Sequence, residues 1–172
     1  IMEGKVHVYT GNGKGKTTAA FGLALRAVGA GKKVYFAQFV KGKAYAETEA
    51  VNKFLPSITV KQFGLGCFIV NKPTHEDIEA GNKGLMEISR IIQSGKFDMV
   101  VLDEANIALL YNLFPVDSLL KTIKSRAFKT EVIITGRYAP PEIIDIADLV
   151  TEMKEEKHYY QEGLEARKGI EY

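Results

Sequence analysis

The stretch Thr10-Gly11-Asn12-Gly13-Lys14-Gly15-Lys16-Thr17-Thr18 decides how the rest of the chain is read. It follows the apolar run Val6-His7-Val8-Tyr9 and precedes Ala19-Ala20-Phe21-Gly22-Leu23-Ala24-Leu25-Arg26-Ala27-Val28, which reads as a helix. Strand, glycine-rich turn and helix in that order are the setting of a phosphate-binding loop. Gly11, Gly13 and Gly15 allow positive φ, so that successive N–H groups can turn inward toward an anion. The helix that follows adds the positive end of its dipole. Lys16 supplies a mobile charge for phosphate oxygens, and the Thr17 hydroxyl suits Mg²⁺. Thr10 stands where the pattern G-x-x-x-x-G-K-[ST] has its first glycine. The plainer alternative is a surface turn rich in glycine and lysine, and the flanking strand and helix argue against it. A nucleoside triphosphate is the expected ligand.

Outward from this loop, apolar β-branched runs alternate with amphipathic stretches, which predicts alternating β and α elements around a mostly parallel sheet. Strands are expected at Lys5–Tyr9, Lys33–Val40, Ile58–Phe63 (alternating, hence an edge), Met99–Glu104, Glu131–Thr135 and Leu149–Lys154. Helices are expected from the loop to Val28, over Glu47–Phe54, from Pro73-Thr74 to Ser94, over Val116–Arg126 and from Pro140-Pro141 to Asp148. Gly29-Ala30-Gly31 and Gly95 are helix stops. Gly64–Val70 is a glycine-flanked apolar loop, and the tail Glu155–Tyr172 is charged and aromatic without periodicity. At 172 residues the chain suits one domain, residues 1–172.

Composition narrows the function. Hydrophobic residues make up 46% and charged residues 26%, and the net charge of +2 is too balanced to argue for nucleic acid or an anionic membrane. The lysines near the loop, Lys14, Lys16, Lys32, Lys33, Lys41 and Lys43, suit a small polyanion or form a solvated basic face. Cys67 is the one cysteine, so there is no internal disulfide and no cysteine-based zinc site. His7, His75 and His158 lack metal-ligand spacing. No apolar run reaches the length of a membrane span and no signal peptide is visible, so the expected compartment is the cytoplasm.

Val100-Val101-Leu102 leads into Asp103 and Glu104. In phosphate-loop sites an acid at such a strand tip holds Mg²⁺ directly or through water. Glu104 beside it could orient water for hydrolysis or ligate the metal itself. Arg137 follows the run Val132-Ile133-Ile134-Thr135 and so emerges at the ligand edge, either as a phosphate clamp or as a structural partner of Glu142 or Asp145.

Thr10–Ala20, Gln38-Phe39-Val40-Lys41-Gly42, Val100–Glu104, Val132–Arg137, Lys157-His158 and Gly169-Ile170-Glu171-Tyr172 together resemble the ATP:corrinoid adenosyltransferases of the CobA/BtuR type, in order and nearly end to end. The resemblance implies a three-layer, RecA-like P-loop NTPase fold. It implies transfer of the 5′-deoxyadenosyl group of ATP to the Co(I) of a corrinoid, cobalamin or cobinamide, with triphosphate leaving. Cobalt is the nucleophile in that reaction, so no side-chain nucleophile or acid–base residue is expected; Lys16 and Arg137 would stabilise charge. By matching motif, Gly11, Asn12, Gly13, Lys14, Gly15, Lys16, Thr17 and Thr18 would hold the triphosphate. Thr17 and Glu104 would ligate Mg²⁺ with Asp103 nearby. Phe68 would match an aromatic that displaces the lower corrinoid ligand; an anchor pinning its own loop is the other reading of that residue. A homodimer and an electron-donating flavoprotein partner are likewise implied. The competing classes are a RecA-like ATPase, with Glu104 as base, and a small-molecule kinase. The first lacks a DNA-binding extension here and the second an arginine-rich lid.

Overall fold

The computed structural model describes residues 2–43, 45–66, 69 and 71–172. Six strands, β1 (Val6–Thr10), β2 (Val34–Phe39), β3 (Ile58–Phe63), β4 (Met99–Asp103), β5 (Glu131–Thr135) and β6 (Leu149–Glu152), form one sheet in the order β3-β2-β4-β5-β1-β6. Every pairing is parallel. The helices are α1 (Lys16–Gly29), α2 (Ala46–Phe54), α3 (His75–Ser94), α4 (Ala105–Leu110), α5 (Val116–Lys124) and α6 (Pro141–Ile146). Parallel strands bury both faces beneath their crossover helices, which is why the central ones read as unbroken apolar runs.

Alternation along each strand divides the core into two halves. Val34, Phe36, Met99, Val101 and Ile133 meet α1 and α2 on one face, through Ala20, Ala24, Ala27 and Val51. The small alanines bring α1 close to the sheet, and Phe21 stacks on Phe36 at 3.8 Å between ring centroids. On the other face Phe39, Val100, Leu102, Val132 and Ile134 pack with Leu85, Ile88, Ile92, Leu119, Ile123 and Ile143 of α3, α5 and α6. The same parity puts Gln38, Asp103 and Thr135 on the α1 face, where three strand tips meet the loop. The register pairs Gln38 with Asp103 and Tyr9 with Thr135.

The structure departs from the sequence expectations at element ends. The strand expected at 149–154 stops at Glu152, and the helix expected to reach Asp148 stops at Ile146. Helix α4 was not foreseen, because six residues are too few to show a helical period. The α3 boundaries follow their local chemistry. Thr74 and Asp77 cap each other reciprocally at its start, and Gly95 closes it with φ 63°.

Two glycines separate packing from propensity. A Cβ on Gly84 of α3 would lie 2.7 Å from Cγ of Phe63 and 3.0 Å from Cε1 of Phe39, whereas one on Gly22 of α1 would meet nothing within 4 Å. Gly84→Ala should lose a net ~1–2 kcal/mol, overpacking outweighing the gain in helix propensity. Gly22→Ala should gain ~0.5–1 kcal/mol. Thermal melting checks both, at roughly 2–4 °C per kcal/mol for a chain of this length. Equal shifts in the two variants would refute the close contact at Gly84.

Candidate functional site

All the strand ends that matter here lie at the carboxyl edge of the sheet, where open α/β folds bind ligands. The loop after β1 bends at Gly11 (φ 96°) and Gly15 (φ 118°), while Gly13 does not take positive φ. Gly13 is needed for another reason. Its N–H donates to the Met153 carbonyl at 2.7 Å, and the Met153 N–H donates to the Thr10 carbonyl at 2.8 Å. A Cβ at Gly11 or Gly13 would fall 2.4 or 2.7 Å from that Met153 oxygen. The segment after β6 therefore braces the loop from outside, and the Gly13 N–H expected to face an anion is used in that brace. Thr10 accepts a bond from the Ala139 N–H through its hydroxyl, a task a glycine there could not perform.

At the inner end of the loop no side chain caps α1 and no acid lies in its first turn. Those first N–H groups and the helix dipole face a cavity of about 740 Å³ whose wall includes Asn12–Thr18. Lys16 is 8% exposed and its ammonium donates to the Gly13 carbonyl at 2.7 Å. Burial pushes its pKa down, the nearby Arg137 charge adds to this, and Glu104 and Asp103 oppose it.

Asp103, at the tip of β4, is wholly buried and collects four donors. The Thr17 hydroxyl (2.8 Å) and the Thr135 hydroxyl (2.6 Å) reach Oδ1. The Gln38 amide (3.1 Å) and the Lys41 ammonium (2.9 Å) reach Oδ2. Burial alone would lower the Lys41 pKa, but the Asp103 and Glu104 carboxylates outweigh it and raise it. Its ammonium also lies 3.4 Å from the Thr17 hydroxyl. Asp103 is thus saturated from inside and is not among the residues of the cavity wall; its link to the expected metal position runs through the Thr17 hydroxyl.

Glu104 does line the cavity. It starts α4 at φ 59°, a left-handed position, and its N–H donates to the Thr135 hydroxyl at 3.0 Å. Its pKa is pushed up first by burial and then by Asp103, with Lys41, Lys16 and Arg137 pulling it down. Val40, before Lys41, is another left-handed residue at φ 64°, a costly conformation for a β-branched side chain. Lys41 and Glu104, at these two left-handed turns, line the same cavity.

Arg137 lines the same cavity, whereas Glu142, one of its two considered structural partners, lines a separate hollow with Asn106 and Tyr138. Ile69, Ile107 and Tyr111 add apolar surface to the same cavity wall, and the Tyr111 hydroxyl donates to the Ile69 carbonyl at 3.0 Å. Phe68, the expected corrin-facing aromatic, lies outside the described residues, as does Cys67. Sequence reasoning missed Thr135, Ile107 and Tyr111, and gave the tail no task. Yet Lys14 points at the tail: its ammonium reaches Tyr159, Ile170 and Glu171. A polar residue ending an apolar run, as Thr135 does, was the signal available for one of these.

A strand, glycine-rich loop and helix whose first turn lines a cavity together with a carboxylate, an arginine and apolar side chains can be compared with known proteins. The solved KaiC-like protein of Pyrococcus horikoshii OT3 superposes with a TM-score of 0.60 at 21% identity, over 91% of this chain and 75% of that one, which places the fold among RecA-like P-loop NTPases. A corrinoid adenosyltransferase of Pseudomonas aeruginosa is 36% identical over 98% of this chain and 84% of its own length. That of Escherichia coli K12 is 36% identical over 98% and 86%. Corrinoid adenosyltransferase CobA of Salmonella typhimurium is 37% identical over the same shares. The family model described as ATP:corrinoid adenosyltransferase BtuR/CobO/CobP matches residues 2–172, the loop, both acids, Arg137 and the tail included, and the chain belongs to that family.

Proposed function

We propose that the Thr10–Thr18 loop holds the triphosphate of ATP while this chain, an ATP:corrinoid adenosyltransferase, moves the adenosyl group to its corrinoid. The supporting observation is the shared cavity: the loop, Lys16, Arg137 and Glu104 line it together with the apolar surface of Ile69, Ile107 and Tyr111. A corrin ring, whose faces are apolar, and a polyanionic phosphate chain call for those two characters in one cavity.

Cobalt attacks C5′ of the ribose, so the protein has no proton to remove and no covalent bond to make. Its work is to align the reactants and to meet the charge that grows on the departing triphosphate. Lys16 and Arg137 serve that charge. The Thr17 hydroxyl and the Glu104 carboxylate are hard oxygen donors on the cavity wall, the kind Mg²⁺ takes along with phosphate and water oxygens. Mg²⁺ held there supplies further neutralisation of the phosphate chain. Asp103 acts one step back by accepting from Thr17, which orients that hydroxyl. Residues 1–172 then act as one nucleotide-binding domain. A homodimer, a flavoprotein that reduces the cobalt and a cytoplasmic setting extend the reading on family membership; no helix among the described residues is long and apolar enough to cross a membrane.

The direct test mixes ATP with chemically reduced cobalamin and follows the light-sensitive cobalt–carbon product together with the phosphate product. Inorganic triphosphate is expected; orthophosphate would indicate a motor ATPase, and ADP with a phosphorylated acceptor a kinase. Lys16→Ala should weaken ATP binding by about 1.5–3 kcal/mol, the worth of charge-assisted hydrogen bonds, as read by calorimetry. Unchanged affinity would remove the loop from the ATP site. Glu104→Gln should raise the Mg²⁺ concentration needed for half-maximal transfer and leave no orthophosphate release to lose. Strong corrinoid-independent ATP hydrolysis that disappears in this variant would make Glu104 a general base instead.

A further inference from the structure

Past Met153 the chain leaves the sheet, and residues 155–172 run almost wholly exposed. This segment is organised from within. Tyr159–Glu162 makes a short 3-10 turn, and the Arg167 N–H donates to Glu171 Oε2 at 2.7 Å, so that the last turn closes around the Glu171 carboxylate. Among the described residues, every hydrogen bond from the segment to the rest of the chain ends on one atom, the ammonium of Lys14. It donates to the Tyr159 hydroxyl at 3.0 Å, the Ile170 carbonyl at 2.9 Å and Glu171 Oε1 at 2.8 Å. An ammonium has three protons, and all three are taken.

The position of this knot gives it meaning. Lys14 sits in the loop between Gly13 and Gly15, and Gly169, Ile170, Glu171 and Tyr172 line the same cavity as Lys16, Arg137 and Glu104. An anionic side chain therefore faces the space that receives a polyanion. Lys14, the Tyr159 hydroxyl and Arg167 hold the Glu171 carboxyl far below the usual carboxylate range, so it stays charged at any working pH. The Lys14 ammonium is 41% exposed at its side chain, within reach of a competing anion from solvent.

We propose that Glu171 is a positioning residue that sets the triphosphate affinity of the loop through Lys14: the tail carboxylate and the phosphate chain compete for one ammonium. This rests on the reading of the loop as the triphosphate site. Transfer turns ATP into a leaving group with one more ionisable oxygen, which a strongly cationic loop would retain. An internal anion returning to Lys14 opposes that retention. Coupling of this kind is reciprocal, so triphosphate must loosen the tail by the factor by which the tail weakens triphosphate.

The probe is inorganic tripolyphosphate, titrated calorimetrically into the full chain with Mg²⁺. Glu171→Gln, with its melting temperature checked, should bind it about tenfold more tightly than the native protein, the worth of ~1.4 kcal/mol. In a Lys14→Met background the same substitution should change nothing, since the shared ammonium is gone. Tripolyphosphate should also speed tryptic cleavage after Arg167 and Lys168 in the native protein and not in Lys14→Met. Equal or weaker binding by Glu171→Gln, or the same gain in the Lys14→Met background, overturns the competition. If Glu171→Gln fails to fold, the tryptic arm decides alone. If native protein and Lys16→Ala bind tripolyphosphate equally poorly, the loop assignment itself has failed, which the Glu171 comparison alone would not report.

Discussion

The buried carboxylate of Asp103 is the constraint on which the site depends. A charge with no exposure is tolerable only when its lone pairs are filled and a counter-ion is near. Here the four donors come from α1, from β2 and the residue two positions past its end, and from β5. Each bond ties a different part of the chain to the tip of β4. The parallel register makes this possible, since Gln38 sits directly beside Asp103 and Thr135 ends the next strand. Removing any one donor would leave part of a buried anion unmatched, so the first turn of α1 and three strand tips hold their relative positions together.

A second set of contacts holds the loop from the solvent side. Met153 exchanges backbone hydrogen bonds with Thr10 and Gly13 so closely that neither Gly11 nor Gly13 could carry a side chain. The glycines that read in the sequence as freedom to surround an anion thus serve also as clearance for a neighbouring strand end. Loop, brace and tail form one assembly, with Lys16 bonded within the loop and Lys14 bonded to the tail.

Much of this was legible in the residues. The run-and-turn pattern located all six strands to within a residue or two: the central ones are apolar runs that end abruptly at polar residues, and the edge strand β3 alternates. The loop, Glu104 and Arg137 were legible for the same reason: in this fold class chemistry gathers where apolar runs stop at the carboxyl edge. Asp103 was read correctly as a strand-tip acid, yet its inward saturation depends on Gln38, Lys41 and Thr135, which only the register brings together. Helix α4 escaped through brevity. The tail escaped because, among the described residues, its hydrogen bonds to the rest of the chain run from Lys14 to Tyr159, Ile170 and Glu171, and no local pattern records contacts at that distance.

The strand order has a consequence for the life of the chain before it is complete. Of the six strands β1 leaves the ribosome first, but its neighbours are β5 and β6, the last two in chain order. Synthesis therefore delivers the glycine-rich loop long before the strands that seat it, and non-local parallel pairing is slow to form. A nascent chain can bury β2, β3 and β4 around α3 while its loop still lacks Thr135 and Met153 as partners. The loop is seated only once β5, β6 and Met153 have been translated, and a chain released earlier would present an unseated glycine-rich segment.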